Sequence, residues 1–362
     1  MKLGPHHILR GDDSWARVAP VLKAVGDPGI LTVAREDAVR IFRRVWDEAQ
    51  QDEILRRLDH DRVHREILDA LGGYRHPRLY VEALNEVPKS WRGQYIELLA
   101  LVVPRLHEAG LKVAGPSWAT GDYETEDWDA FRAVGWCDLD LIALHAYWST
   151  RGQTRWNASR WGTYWSKGDP PVVVTECGRD RVRDGDAHVN EGWLPLDNSG
   201  KYGYAAGSQQ VTADAFIEEL AVYDRVLEVM PEVVGATPFT CGPTRDWADK
   251  GFDMDPLVPR LAARFGGAAA VVPDVKPAKG VDVSEDFVVG QGFRKFHLVL
   301  GAPIEHERYH DVGSERISIA LFERGYCTYR SRTNETVGIH EDGRIWTDRG
   351  NRGDGVSIWR VV

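Results

Sequence analysis

Short apolar runs alternate with amphipathic stretches over the first three quarters of the chain. Runs rich in β-branched residues favour buried strands, whereas apolar residues spaced three and four apart favour helices. The pattern predicts eight strands, at residues 2–8, 29–34, 39–46, 78–87, 111–115, 139–144, 171–176 and 233–239. It predicts helices at residues 13–25, 50–71, 90–109, 127–134, 155–165, 212–230 and 256–265.

This alternation is typical of an α/β protein whose parallel sheet is covered by helices. Eight strand–helix units within about 270 residues predict a (β/α)8 TIM barrel, in which the functional site lies at the C-terminal ends of the strands. We therefore expect a barrel at residues 1–270.

The composition changes after residue 270. Residues 271–280 are rich in proline, lysine and glycine, which is typical of a linker. Residues 281–362 contain several strand-like runs and turn signals such as Asp342-Gly343, with no amphipathic helical pattern. We therefore expect a linker followed by a small all-β accessory domain.

Two of the predicted strands end in a glutamate. Glu86 follows Asn85 at the fourth strand, and Glu176 follows Thr175 at the seventh. A carboxylate at the end of a buried strand is costly unless it has a partner or a task. In a barrel both would face one mouth, where a retaining glycosidase needs two carboxyl groups roughly 5–5.5 Å apart. For each glutamate alone a structural role stays open, as a helix cap or as the partner of an arginine.

The net charge and the composition of the chain exclude some classes of protein. A net charge of −10 argues against nucleic acid as the partner, because phosphate binding needs a basic face. Neither a secretory leader nor a membrane span is expected, so no membrane partner is predicted and the compartment stays undetermined. The four cysteines lack metal-site spacing, so we expect no metal, no cofactor and free thiols, with one disulfide left open. The 14 tryptophans mildly favour a carbohydrate ligand, since sugar rings stack on indoles.

Three short motifs occur in order at the fourth, sixth and seventh predicted strands: Asn85-Glu86, His145-Ala146-Tyr147 and Thr175-Glu176. Together they resemble the clan A glycoside hydrolases, a group of retaining (β/α)8 enzymes. The resemblance covers the barrel and not the C-terminal strands. It implies that Glu86 is the acid/base and Glu176 the nucleophile. It also implies that Asn85 binds the sugar 2-hydroxyl, that Tyr147 donates to the nucleophile, and that His145 lines the same wall.

The chemistry of double displacement supports these two roles. The nucleophile must stay ionised, which requires donors such as Tyr147 or Arg43 beside Glu176. Arg43 is preferred to Arg44, because alternation along a strand lets one of them face the barrel interior. The acid must carry a proton, so Glu86 is expected in a less polar wall or near the negative charge of the nucleophile. Packing roles for the histidine and the tyrosine of the sixth strand stay open.

The chain departs from the clan in two places. The eighth strand ends in Pro238-Phe239 where a tryptophan usually lies beneath the sugar, and Val87 separates Glu86 from Pro88. The family within the clan therefore stays open. Candidates for contact with the sugar, with core packing as an equal alternative for each tryptophan, are Trp46, Trp118, Trp148, Phe239 and Trp247.

The sequence therefore predicts a retaining glycoside hydrolase that cleaves β-glycosidic bonds of a polysaccharide or oligosaccharide. A non-catalytic carbohydrate-binding or attachment protein built on the same barrel is the alternative. A metal-dependent hydrolase is less favoured, because His6-His7 and His145 lack a matching set of aspartates. The sugar, the linkage and the oligomeric state do not follow from the sequence.

Overall fold

The computed structural model describes residues 1–148, 159–183, 186–193 and 212–266, and strands between residues 303 and 361. Side chains are described for these ranges except residues 181–191 and the C-terminal strands. Eight parallel strands follow one another around one sheet: β1 His6–His7, β2 Val21–Val25, β3 Val39–Arg43, β4 Leu79–Glu82, β5 Lys112–Trp118, β6 Leu141–Trp148, β7 Val172–Arg179 and β8 Val233–Pro238.

The sheet closes on itself between its first and last strands. Parallel bridges join Leu3 to Ala236 and His7 to Cys241. The amide of Gly4 donates to the carbonyl of Ala236 at 3.0 Å, which continues the same ladder. The result is a nearly closed parallel barrel with helices, consistent with the predicted TIM barrel.

Helices follow most of the strands. They are α1 Glu48–Arg57, α2 His60–Leu71, α3 Arg92–Glu108, α4 Thr125–Ala133, α5 Ala213–Glu228, α6 Arg245–Asp249 and α7 Val258–Phe265. Short 3-10 helices lie at Pro28–Val33, Lys89–Trp91, Gly135–Asp138, Arg160–Thr163 and Asp255–Leu257. Across the described ranges, no helix combines the length and apolar character needed to cross a membrane.

Two elements predicted near the N-terminus are wrong. Residues 13–25 form a turn followed by β2, not a helix, because the run Val21–Val25 is buried throughout as a barrel strand. The predicted strand at residues 29–34 is largely a 3-10 helix. Asp27 caps it by accepting a hydrogen bond from the amide of Gly29 at 2.7 Å. The count of strands is unchanged, because β2 replaces the strand that was predicted one segment later.

Other predicted boundaries also move. The single helix expected at residues 50–71 is two helices, because Leu58 adopts a left-handed conformation with φ 51°. Asp59 then caps α2 by accepting from the amide of Arg62 at 3.0 Å. The fourth strand ends at Glu82, four residues before the predicted catalytic glutamate. Of the helix expected at 155–165, the described part forms only the 3-10 turn.

Side chains inside the barrel form an apolar layer and a polar layer. The apolar layer consists of Val21, Val39, Ile41, Tyr80, Ala114, Leu141, Ala143, Val173 and Val234. Alternate residues of a strand share a face, so the positions two further along β2, β3, β4 and β6 face the interior as well. These are Lys23, Arg43, Glu82 and His145, which place charge directly above the apolar layer.

The strands beyond residue 300 pair antiparallel with one another. They are Pro303–His306, Asp311–Val312, Glu315–Phe322, Gly325–Ser331, Val337–Ile339, Ile345–Thr347 and Ser357–Val361. A further hairpin pairs Arg181–Arg183 with Asp186–Glu191. The predicted linker at 271–280 lies outside the described residues, and the division into a barrel and an accessory domain stays a prediction.

The cysteines of the described barrel are buried. Cys137, Cys177 and Cys241 are free thiols. The side chain of Cys327 lies outside the described part, so the expectation for that residue is untested.

A buried acid at the base of the barrel predicts a pH-dependent stability. Glu232, directly before β8, is 5% exposed, and burial raises its pKa to about 7 from an ordinary value of 4.5. The folded state therefore binds this proton more tightly than the unfolded chain, and the stability it contributes at low pH is lost as the pH rises towards 7. We expect Glu232→Gln to raise the free energy of unfolding by roughly 1–3 kcal/mol at about pH 8 and to change it little near pH 4.5.

Urea unfolding across this pH range measures the effect. Glu97→Gln, at an exposed position of α3, is the matched control and should leave the pH dependence unchanged. An identical pH dependence in Glu232→Gln and the parent protein would contradict the assignment.

Candidate active site

A cavity of about 650 Å³ opens at the C-terminal ends of the barrel strands. Seven of the predicted site residues line it: Arg43, Asn85, Glu86, Tyr147, Glu176, Phe239 and Trp247. The rest of the wall comes from Ile8, Leu9, Val25, Gly26, Asp27, Val45, Ala119, Thr120, Asp180, Thr244 and Phe252. The strand-end positions that are far apart in the sequence therefore share one cavity.

The two predicted catalytic glutamates face each other in this cavity. Glu176 lies within β7 and its side chain is 7% exposed, whereas the side chain of Glu86 is 40% exposed. One carboxylate oxygen of each and one ring nitrogen of His145 all lie within 4.8 Å of one another. Both carboxylates are therefore close enough to act on one bond of a bound molecule.

Glu86 is held by an unusual backbone conformation. Its φ of 46° lies in the left-handed region, which residues other than glycine rarely adopt. The amide of Glu86 donates to the carbonyl of Ser117 at 3.0 Å, and this bond fixes the turn after β4. Conformations of this kind cluster at functional sites, where the surrounding structure stabilises them.

Three donors and the ring of His6 surround the carboxylate of Glu176. Its Oε1 accepts from Arg43 at 2.8 Å and from Lys23 at 3.2 Å. His6 Nε2 lies 3.5 Å from the same oxygen. Its Oε2 accepts from the hydroxyl of Tyr147 at 2.9 Å. Both oxygens are thus held by groups on other strands of the barrel.

These contacts decide the ionisation of Glu176. Burial alone raises its pKa, but the charges of His145, Lys23 and Arg43 outweigh burial and hold the pKa well below its ordinary value. The pKa of Tyr147 is raised well above its ordinary value, first by burial and then by the negative charge of Glu176. Glu176 is therefore a carboxylate, and the tyrosine stays protonated as its donor.

Fewer groups contact Glu86. The Nδ1 atom of the buried His145 lies 2.6 Å from Glu86 Oε1 and 3.5 Å from Glu176 Oε2, so the imidazole lies between the two carboxylates. The neighbouring Asn85 accepts a hydrogen bond from Arg43 through its side-chain Oδ1, and its backbone N–H donates to Oε1 of Gln51 at 2.8 Å. The two glutamates thus differ in exposure and in the number of cations around them.

Three buried polar residues around Glu176 were not among the predicted site residues: His6, Lys23 and Glu82. Lys23 is fully buried, and its Nζ lies 2.8 Å from Glu82 Oε2. His6 is also fully buried, and burial lowers its pKa to about 3, so its imidazole is neutral. Two features of the sequence indicate Lys23 and Glu82: a single lysine within the apolar run of β2, and a glutamate at the end of β4. Alternation along each strand turns both side chains towards the barrel interior.

For three of the tryptophans the structure favours the packing alternative, because they lie in the core and are not among the residues that line the cavity described above. The indole of Trp46 donates to the carbonyl of Ala83 at 2.9 Å, and Arg44 covers its ring. The indole of Trp148 donates to Glu219 at 3.1 Å. The third, Trp118, belongs to an aromatic cluster with Trp128, Phe131 and Trp136. Packing is favoured in each case because the indole is at least nine-tenths buried.

The other two aromatic candidates lie in the cavity wall. The rings of Phe239 and Trp247 meet edge to face with centroids 5.0 Å apart. Phe252 packs against both, at 5.4 Å and 5.3 Å. Trp247 is half-buried, so part of its indole is open to the cavity. Their contact with a sugar stays a prediction.

Among the described residues, one group has the composition and spacing of a metal site. Glu86, His145 and Glu176 each offer a ligand atom within 4.8 Å of the others. However, Lys23 and Arg43 already contact Glu176, and a divalent cation there would lie against two positive charges. A metal ion bound by these three side chains would therefore compete with Lys23 and Arg43 for the carboxylate of Glu176.

Comparison with known proteins leaves the family open. No protein-family model matches the sequence, and no curated protein is significantly similar to it. Among solved structures, a variant GH128 (subgroup I) endo-β-1,3-glucanase from Amycolatopsis mediterranei, in complex with laminaritriose and laminaribiose, is similar at 15% identity and TM-score 0.46. The match covers 74% of this chain and 99% of that chain.

Two further structures are similar at lower scores. XacCel5A in complex with cellopentaose has 9% identity and TM-score 0.43, with 72% of this chain and 98% of that chain covered. A GH26 β-mannanase from Bacteroides ovatus has 14% identity and TM-score 0.35, with 50% and 72% covered. Glycoside hydrolases are thus among the structures that this chain resembles. At such low similarity, the activity of the chain is inferred from its own site.

Proposed function

We propose that this chain is a retaining glycoside hydrolase that cleaves β-glycosidic bonds of a polysaccharide or oligosaccharide. The observation that carries the proposal is that one carboxylate oxygen of Glu86 and one of Glu176 lie within 4.8 Å of each other in one cavity. Retaining enzymes place their carboxyl groups roughly 5–5.5 Å apart, and inverting enzymes roughly 6.5–9.5 Å apart to leave room for a water. The short separation supports direct attack by one carboxylate.

The different surroundings of the two glutamates support their roles. Glu176, ionised by Arg43 and Lys23, attacks the anomeric carbon while Glu86 donates its proton to the leaving oxygen. The bond from the anomeric carbon to that oxygen breaks, and an ester to Glu176 forms. Glu86, now a carboxylate, takes a proton from water as the water attacks the anomeric carbon and releases Glu176.

The remaining wall residues are assigned to binding. Tyr147 holds Oε2 of Glu176 through its hydroxyl at 2.9 Å and leaves the carboxylate oriented for attack. Asn85, next to Glu86, is proposed to bind the 2-hydroxyl of the sugar. Phe239 and the half-buried Trp247 provide the apolar surface on which a sugar ring can stack.

A panel of aryl β-glycosides and purified β-linked polysaccharides tests the proposal, with each assay run with and without a chelator. We expect turnover that the chelator leaves unchanged, and NMR of the first product formed should show the β-anomer. Early formation of the α-anomer would contradict retention. Loss of turnover with the chelator, restored by a divalent cation, would favour a metal-dependent hydrolase. Binding of a polysaccharide without turnover of any substrate would favour the non-catalytic alternative.

A further inference from the structure

A fully buried charged pair lies beneath the two catalytic carboxylates, and one member of it, Glu82, has no part in the proposed reaction. Lys23 and Glu82 are both fully buried, and their charged atoms are 2.8 Å apart. Lys23 also lies 3.2 Å from Glu176, so one ammonium group serves two carboxylates. Burying such a pair is costly, and well-packed apolar residues often replace one without loss of stability. A role in the site is therefore a better account of the pair than stability.

Glu82 is connected to both catalytic glutamates. Through Lys23 it reaches Oε1 of Glu176. Its own Oε1 accepts from the hydroxyl of Ser117 at 2.7 Å, and the carbonyl of Ser117 accepts from the amide of Glu86 at 3.0 Å. Ser117 has a φ of 59° and is, like Glu86, in the left-handed region. One buried carboxylate is thus linked to the nucleophile through Lys23 and to the backbone of the acid/base through Ser117.

We propose that Lys23 and Glu82 are positioning residues that together set the charge that surrounds the side chain of Glu176 in both halves of the reaction. The inference rests on the proposed function. Before attack, Lys23 and Arg43 are positive, Glu82 and Glu176 are negative, and Glu86 carries its proton, so the sum over these five side chains, without His145, is zero. In the ester intermediate Glu176 is neutral and Glu86 is negative, so the sum over the same five side chains is again zero. Glu82 is the anion that stays with the two cations throughout.

The two members of the pair have opposite effects on Glu176. Removing Glu82 leaves two cations beside the nucleophile, which stabilises its carboxylate and opposes formation of the ester. Removing Lys23 leaves Glu82 and Glu176 as two carboxylates with Arg43 as their shared cation. This opposes ionisation of Glu176 and therefore slows hydrolysis of the ester, in which Glu176 leaves as a carboxylate. The charged and titratable side chains that face Glu176 from the surrounding strands are His6, Lys23, Arg43, Glu82, Glu86, His145 and Tyr147.

The pH dependence of kcat/KM for Lys23→Met, Glu82→Gln and the double variant tests the proposal. With an activated aryl β-glycoside, we expect the acidic limb to move up by about one pH unit in Lys23→Met and down by a similar amount in Glu82→Gln. The double variant restores the balance of charge, so its limb should return close to that of the parent protein. If the pair had only a structural role, its substitution would lower activity and leave the acidic limbs of the pH profiles unchanged. Acidic limbs that stay unchanged in the two single variants, or that move in the same direction in both, overturn the proposal.

Thermal unfolding provides a second test of the proposal, and this test needs no substrate. Lys23→Met should lower the Tm by roughly 5–15 °C, because a buried carboxylate loses its partner. The double variant should regain at least half of that loss, and a double variant no more stable than Lys23→Met also overturns the proposal. If Lys23→Met does not fold, the acidic limbs of the pH profiles of Glu82→Gln and the double variant test the proposal. A parent protein that turns over no glycoside refutes the proposed function as well, whereas an active parent with coincident limbs refutes only this inference.

Discussion

Glu176→Gln is expected to lose activity on every glycoside by at least roughly 10³-fold. An amide cannot form the ester with the anomeric carbon, and no other carboxylate of the cavity has the same set of donors. Arg43, Lys23 and Tyr147 all contact Glu176 at 2.8–3.2 Å, so the side chain is oriented and ionised for attack. Initial rates on the best aryl β-glycoside of the panel measure the loss.

A second substitution separates loss of the nucleophile from loss of the fold. Glu176→Gly leaves space for a small anion, and added azide should attack the anomeric carbon in place of the carboxylate. The product should be the α-glycosyl azide, since a single displacement inverts the configuration. Recovery of turnover would show that the cavity is intact. Full activity in Glu176→Gln would instead make this glutamate structural.

Glu86→Ala is expected to divide the reaction into a fast and a slow half. A dinitrophenyl leaving group departs without a proton, so formation of the glycosyl-enzyme should stay fast. Its hydrolysis should become roughly 10²–10⁴-fold slower, because no general base activates the water. The measurement is a burst of released phenol followed by slow steady turnover.

Azide gives this prediction its control. It needs no general base, so it should restore turnover of Glu86→Ala and yield the β-glycosyl azide after two inversions. An α-azide from Glu86→Ala together with a β-azide from Glu176→Gly would mean that the two roles are exchanged. Rescue in neither variant, with full activity in one, would assign a structural role to that glutamate.

The sequence by itself determined the barrel and the positions of the two glutamates. Parallel strands buried on both faces appear as continuous apolar runs, and β3, β4, β6, β7 and β8 lie within or next to the predicted runs. Glu86 and Glu176 stand where two such runs end, which is sufficient to place them at one mouth of a closed sheet. Alternation within β3 predicts that Arg43 faces the interior, and its guanidinium lies 2.8 Å from Glu176.

The tertiary structure decided what local pattern leaves ambiguous. The run Val21–Val25 is compatible with a helix or a strand, because a short apolar run lacks a distinguishing period, and only its pairing with β1 and β3 makes it a strand. Likewise, the sequence does not show whether the indole of a tryptophan contacts a sugar or packs in the core. Trp148 is in the core because Glu219, 71 residues away, accepts its N–H.

The pairing of side chains within the polar layer also depended on the tertiary structure. Lys23 and Glu176 are 153 residues apart, and Glu82 and Ser117 are 35 residues apart. A charged residue within an apolar strand shows only that a partner is needed, since its own burial is costly. The identity of that partner depends on the tertiary structure of the barrel. The barrel brings side chains at the same height on β2, β4 and β7 together in its interior.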